Sequence, residues 1–109
     1  MRTTKEVFEH HIHAVANANL AEISKDYADS SKLITDSRGV YSGKAAIMKF
    51  FGDLGPLLKA GKFTSKTQIV EGKAALFVWD FSSPSRSIEN GVDSFFIEDG
   101  AIIYQTMKA

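Results

Sequence analysis

The chain contains no cysteine, and its 13 basic residues are balanced by 13 acidic ones. Without cysteine there can be no disulfide, no thiolate metal site and no cysteine nucleophile. A nucleic-acid-binding domain usually carries a basic surplus or a basic stripe; neither is present, so we expect no nucleic-acid partner. The N-terminus lacks the apolar core of a signal peptide, and no apolar run reaches the ~18 residues of a transmembrane helix. These absences predict a cytoplasmic protein with no membrane partner.

The composition is that of a globular domain, with 44% hydrophobic residues over 109 positions. This length suits a single domain, residues 1–109, with one hydrophobic core. There is no Gly-rich nucleotide fingerprint, zinc-protease motif or nucleophile elbow. We therefore expect no cofactor and no functional metal.

Apolar spacing in the first half of the chain predicts three helices. The first is expected from about Lys5 to Asn19, capped by Thr3 or Thr4. The second covers Leu20–Ala28. The third occupies residues 43–61 and is expected to start at a Ser42 cap. A Gly-Pro pair at 55–56 is expected to break or kink it, because proline lacks the amide proton and disfavours helix in the preceding residue.

The remaining segments have strand patterns. Short strands are expected at Ser31–Thr35 and at residues 40–41, with a turn between them. From Lys62 onward, alternating apolar residues separated by Gly-containing turns predict a run of antiparallel strands. Helices followed by such a run favour an α+β fold, in which three N-terminal helices pack on the concave face of a curved sheet.

All three histidines lie in the stretch "EHHIHAV", Glu9–Val15. At about 100° per residue, His11 falls within the apolar face of the first helix. His10 and His13 fall on its polar face, where we expect them to be solvated. His11 is then either a satisfied core histidine or a polar group facing a pocket, where its titration near neutral pH would suit proton transfer.

Asp93 is the second candidate for chemistry. In "GVDSFFIED" the strand alternation places it on the same face as Gly91, Phe95 and Ile97. An aspartate between apolar neighbours costs free energy unless it is paired or protonated. It is therefore either a structural residue paired across strands or a functional group in a pocket.

Three motifs, in this order, carry a family resemblance: "NLAEISKDYADSSKLIT", "GVYSGKAAIMKFF" and "GVDSFFIEDGAI". The chain resembles the NTF2-like superfamily, in particular its SnoaL-like and ketosteroid-isomerase-like branch. The resemblance implies a cone-shaped α+β fold, a conical pocket between the helices and the sheet, and commonly a homodimer through the sheet. It implies no single activity, because this fold hosts isomerases, cyclases, hydrolases and binding domains.

The resemblance also bears on individual residues. It places His11 where ketosteroid isomerases carry a tyrosine that donates to the developing oxyanion, and Asp93 where they carry an aspartic acid with the same task. The usual base carboxylate falls at Thr35, which cannot act as that base near neutral pH. Asp36 is one residue along, and so on the opposite strand face. A His11–Asp93 dyad remains possible.

The rest of the pocket is expected to be aromatic and apolar. Trp79 is expected to line it, with Asp80 facing outward, and Tyr27 ends the second helix where it could reach the pocket. The predicted walls also comprise Phe50, Leu54, Phe77 and Phe95. Three hypotheses follow: acid–base chemistry on a small apolar molecule, a binding or dimerisation module without chemistry, and a protein-recognition domain with an exposed apolar patch.

Overall fold

The computed structural model describes residues 1–109, which form three helices and six strands. In chain order these are α1 Thr4–Ala16, α2 Leu20–Ser24, β1 Tyr27–Thr35, β2 Gly39–Ser42, α3 Lys44–Ala60, β3 Lys62–Glu71, β4 Ala74–Ser82, β5 Ser87–Glu98 and β6 Ala101–Lys108. The predicted α+β class is confirmed.

Helix α1 begins at the expected threonine and ends earlier than expected. The Thr3 hydroxyl accepts from the backbone N–H of Glu6, and the Glu6 carboxylate accepts from the N–H of Thr3, which forms a capping box. The helix stops at Ala16 because Ala18 has a φ of 51° and Asn19 already caps α2.

Helix α2 is shorter than predicted, because Tyr27 belongs to a strand. Its backbone is opposite Ile102 of β6. Of the apolar residues that suggested a longer helix, Leu20 and Ile23 lie in the five-residue helix, whereas Tyr27 is the first residue of β1. The expectation that Tyr27 ends a helix is therefore wrong.

Helix α3 runs through Pro56 without a break, in contrast to the prediction. The residue before this proline is Gly55, whose missing Cβ removes most of the steric conflict that disfavours helix there. Its N-cap is Gly43 rather than Ser42. Gly43 has a φ of 94°, a conformation that glycine adopts readily, whereas the Ser42 hydroxyl accepts from Lys32 across β1 and β2.

The strands form one curved, unclosed sheet in the order β2-β1-β6-β5-β4-β3. Neighbouring strands are antiparallel, as expected, except that β6 runs parallel to β1. Strand patterning reveals each strand but not its partner, and this pair joins residues far apart in the chain. Register shifts interrupt four of the strand pairs, and such bulges bend a sheet.

The core lies between the inner face of the sheet and helices α1 and α3. Along β4 the buried positions alternate strictly: Ala75, Phe77, Trp79 and Phe81. Along β5 the buried residues are Gly91, Asp93, Phe95 and Ile97, so Asp93 faces inward as the alternation predicted. The longest helix, α3, has 17 residues, and no helix combines the length and hydropathy needed to cross a bilayer.

Candidate functional site

A cavity of about 100 Å³ lies between the helices and the inner face of the sheet. One buried water needs only ~10–15 Å³ measured in this way, so the space is larger than a single-water site. Its wall is mostly apolar, and the predicted wall residues Phe50, Leu54, Phe77 and Trp79 belong to it.

Two of the expected wall residues lie outside the cavity lining. The Phe95 ring packs against the rings of Phe8, at 5.4 Å between centroids, and His11, at 5.2 Å. Tyr27 is buried and its hydroxyl donates to the amide oxygen of Gln105. Both rings also pack against His11, a residue of the wall, so they support the wall instead of forming its surface.

Asp93 lies on the cavity wall and is 5% exposed. Its Oδ1 accepts from the Trp79 indole Nε1 at 3.1 Å, and its Oδ2 accepts from Nε2 of Gln105 at 3.0 Å. Burial raises the pKa of Asp93 to about 7, although both hydrogen bonds favour the carboxylate and oppose this rise. The group therefore titrates much closer to neutral pH than an exposed aspartate does.

Gln105, the second hydrogen-bond donor to Asp93, is a site residue that the sequence patterns did not predict. Strict alternation from the buried Ile102 would turn Gln105 outward, yet it is fully buried. The register shift between β5 and β6 restores it to the inner face. Burial raises the pKa of the Tyr27 hydroxyl well above its usual value, so that group remains a donor to Gln105 and fixes the orientation of its amide.

His11 also lies on the wall and is 3% exposed. Its ring meets those of Tyr27, Phe51 and Phe95 edge-on, at 5.2 to 6.0 Å between centroids. Burial lowers the pKa of His11 to about 3, and the nearby His10 adds to this effect, so the imidazole is neutral at pH 7. Its Nδ1 is buried without a hydrogen-bond partner, an arrangement that typically costs ~1–3 kcal/mol.

His11 and Asp93 therefore share one cavity wall but form no hydrogen-bonded dyad through Nδ1. The hydrogen bonds of Asp93 go to Trp79 and Gln105, while Nδ1 of His11 has none. A ligand in the cavity could contact both side chains at once. Their roles in binding or catalysis stay predictions.

Of the other two histidines, His13 is exposed as expected, but the expectation that His10 is solvated is wrong. Nδ1 of His10 lies 2.8 Å from both carboxylate oxygens of the buried Asp26, and Nε2 lies 3.0 Å from the Glu22 carboxylate. Hydrogen bonds to Glu22 and then Asp26 raise the pKa of His10. The helical periodicity placed His10 on the correct face of α1, but α2 and the turn before β1 partly cover that face.

Thr35, Asp36 and Asp80, which the sequence also brought into question, each have a hydrogen-bond partner within the chain. The Thr35 hydroxyl donates to the Gly39 carbonyl at 2.9 Å and accepts from the N–H of Arg38 at 3.0 Å, which closes the β1–β2 turn. Asp36 is exposed at the cavity mouth. Asp80 is half-exposed and accepts from the N–H of Asn90 at 2.9 Å. No three histidine or carboxylate side chains are gathered closely enough to hold a metal ion.

A family model for the SnoaL-like domain matches residues 8–105, which is nearly the whole chain. The chain belongs to the SnoaL-like domain family. The resemblance drawn from the three sequence motifs is thereby confirmed. No curated protein matches the sequence significantly.

Solved structures similar to this SnoaL-like domain agree on the fold. An NTF2-like protein of unknown function from Cytophaga hutchinsonii superposes with a TM-score of 0.82 at 17% identity, covering 98% of this chain and 89% of its own. A putative ketosteroid isomerase from Kribbella flavida gives 0.81 at 14% identity, covering 96% and 76%. The epoxide hydrolase/cyclase-like enzyme SalBIII, described in pyran ring formation in the polyether salinomycin, gives 0.81 at 17%, covering 96% and 88%. At these identities the likeness establishes the NTF2-like fold alone.

Proposed function

We propose that this SnoaL-like domain binds a small, largely apolar molecule in its cavity and performs acid–base chemistry on it. The reaction would be of the isomerase, cyclase or dehydratase kind and independent of a cofactor. The apolar wall formed by residues such as Phe50, Leu54, Phe77 and Trp79 supports the choice of ligand, because it offers contact area and few polar partners.

The observation that carries the proposal is the buried carboxylate of Asp93 on the wall of this cavity. A carboxylate has about four acceptor positions, and Trp79 and Gln105 occupy one on each oxygen. The remaining positions are free to take a proton from a ligand. With a pKa of about 7, Asp93 can both accept and return that proton at neutral pH.

The role that we propose for His11 is not the proton transfer that a histidine suggests. With a pKa of about 3 it is a weak base and stays uncharged. We assign it a hydrogen bond to a polar atom of the ligand, which would give a partner to a ring that now has one unpaired buried nitrogen. A neutral imidazole in this place can stabilise developing negative charge without introducing a charge of its own.

The test does not require the natural substrate. A small apolar ketone that raises the melting temperature would be incubated with the protein in D2O, and deuterium uptake next to its carbonyl would be followed by NMR. Uptake above the uncatalysed rate, lost by about tenfold or more in Asp93→Asn with the fold intact, is the expected result. Ketones that bind without any exchange or turnover would contradict the catalytic part of the proposal.

The alternative is a ligand-binding or dimerisation module without chemistry. One observation favours it: the hydroxyl of Thr35, the residue at which the resemblance to ketosteroid isomerases puts the usual base, is already used in closing the β1–β2 turn. This alternative predicts that Asp93→Asn changes ligand affinity at most, and that no bound ketone exchanges its protons.

We also propose that two copies of the chain associate through the outer face of the sheet. Phe96 and Tyr104 lie opposite each other on β5 and β6, and they are 39% and 50% exposed. Ile34 is 42% exposed and lies on the neighbouring β1, opposite Thr106. A second copy would cover this apolar area, which a monomer leaves in water.

A further inference from the structure

The mouth of the cavity lies at one end of the sheet, where the β1–β2 turn, the end of β6 and the β4–β5 loop meet. The pairs Thr35–Met107 and Val92–Lys108 place the β1–β2 turn and the end of β6 at the same end of the sheet as the first half of β5, and the pair Ser82–Ser87 closes the β4–β5 loop at that end. The exposed residues that line the cavity are all here: Asp36, Ser37, Arg38, Arg86 and Ala109. Two of these five carry a guanidinium.

Both arginines are placed by short turns built in the same way. The N–H of Arg38 donates to the Thr35 hydroxyl at 3.0 Å, and the N–H of Arg86 donates to the Ser83 hydroxyl at 3.0 Å. The guanidinium carbon of Arg38 lies 6.0 Å from the centre of the Phe50 ring, which is itself part of the wall. The Arg38 side chain therefore lies along the cavity edge.

Neither guanidinium has an anionic partner within the chain. The ion pairs of the protein involve Arg2, His10 and four lysines, but not Arg38 or Arg86. Asp36 is the one carboxylate side chain at the mouth, and it accepts from the backbone N–H of Ala109 at 3.4 Å. Two unpaired guanidiniums at the edge of an apolar cavity suit a ligand with an apolar body and one anionic end. A planar guanidinium can bind a carboxylate through two parallel hydrogen bonds.

We propose that the ligand of this cavity is an apolar molecule that ends in a carboxylate, held at the mouth by Arg38 and Arg86. This inference rests on the proposed binding function and specifies its ligand class. The apolar body would lie against Phe50 and Trp79 and bring its reactive part to Asp93. The ligand's charge stays near water at the mouth, so it need not be desolvated in the apolar interior.

The test compares decanoate with decanol, whose chains are matched in length, together with shorter and longer pairs of the same two classes. Trp79 is the only tryptophan in the chain and lines the cavity, so its fluorescence reports binding directly. The variants are Arg38→Gln, Arg86→Gln and the double variant. Lys5→Gln, which removes an exposed cation on α1 outside the cavity lining, is the matched control.

We expect the wild type to bind the carboxylate about tenfold more tightly than the alcohol, which is an ordinary gain for charge-assisted hydrogen bonds. The double variant should lose this preference and keep its affinity for the alcohol, while Lys5→Gln changes neither. An unaltered preference in the double variant, or no preference in the wild type, would overturn the inference and leave the binding function standing. If no probe of either class changes the Trp79 fluorescence or the melting temperature, the binding function falls, and the inference with it.

Discussion

The Trp79 indole donates its N–H to Oδ1 of Asp93 at 3.1 Å, within the wall of the cavity. This bond joins Asp93, whose pKa is raised by burial, to an aromatic side chain of the cavity wall. The same contact depends on a third residue, Gly91, which lies directly opposite Trp79 on the neighbouring strand. The indole occupies the space that a side chain at position 91 would need.

Gly91→Ala should disturb the site through this contact. A Cβ at position 91 would lie 2.4 to 2.7 Å from three indole atoms of Trp79, so the ring must move and its bond to Asp93 must weaken. We expect a loss of about 1–3 kcal/mol in the free energy of unfolding and a shift in the Trp79 emission, both measurable in a denaturant titration followed by fluorescence.

Gly52→Ala is the control for this substitution. The added Cβ on α3 would meet only a Leu20 methyl at 3.8 Å, an ordinary contact. It should stabilise the protein by about 0.5–1 kcal/mol, because alanine is the better helix former. An unchanged emission spectrum in Gly91→Ala would show that the indole does not depend on that space.

The opposite pKa shifts of Asp93 and His11 should nearly cancel in the pH dependence of stability. The raised pKa of Asp93 makes the folded state hold a proton between about pH 4 and 7, so stability falls as pH rises through that range. Because the pKa of His11 is lowered, this ring is unprotonated in the folded state but protonated in the unfolded state between about pH 3 and 6.5. Stability therefore rises with pH in that range.

Single variants should separate the two effects. In Asp93→Asn only the His11 contribution is left, so stability should drop more steeply than in the wild type as the pH is lowered from 6.5 to about 4. In His11→Leu the Asp93 contribution is left, and stability should increase over the same range. Melting temperatures in a series of buffers measure both slopes, and parallel curves for the three proteins would contradict the assignments.

His10 should stabilise the corner between α1, α2 and β1, through its bonds to Glu22 and the buried Asp26. His10→Ala leaves Asp26 with Arg2, at 2.8 Å, as its remaining charged partner. We expect a loss of about 1–3 kcal/mol below pH 6.5, where the protonated ring contributes in full. The pKa of His10 in the folded state is raised above 6.5, so this contribution should be lost as the pH rises through the folded-state pKa.

His13→Ala is the matched control, because His13 lies one turn further along α1 and is exposed. Its effect should stay within about 0.5 kcal/mol. Chemical denaturation at pH 6 and at pH 9 gives the comparison. Equal losses for the two histidine variants would mean that the contacts of His10 contribute nothing to stability in solution.

Phe96→Glu should break the proposed association through the sheet. A carboxylate in the centre of an apolar interface is costly, since it would be desolvated without a partner. Light scattering coupled to size exclusion should show a dimer for the wild type and a monomer for this variant. Leu20→Glu is the matched control, because Leu20 is 43% exposed, close to the 39% of Phe96, but lies on α2 and not on the sheet. This variant should remain dimeric. A monomeric wild type at the highest soluble concentration would exclude the homodimer.

The features that the sequence predicted correctly are local and periodic. A period of 3.6 residues placed His11 on the buried face of α1, and a period of two placed Asp93 inside the sheet. The threonine cap of α1 and the α+β class follow from equally short-range patterns. The errors have separate local causes: α1 ends early at the positive φ of Ala18 and the Asn19 cap of α2, α2 ends early because Tyr27 pairs in the sheet, and α3 passes through Pro56 because Gly55 precedes it.

The tertiary structure alone decided which side chains meet. Trp79 and Asp93 are 14 residues apart, His10 and Asp26 are 16 apart, and Tyr27 and Gln105 are 78 apart. The contact of Tyr27 with Gln105 depends on the parallel pairing of β1 with β6 and on the register shift that turns Gln105 inward, and the contact of Trp79 with Asp93 depends on the pairing of β4 with β5. Because such pairings are set by packing across the whole sheet, the sequence by itself determined which residues point inward, and only the fold determined the partners of His10 and Asp93.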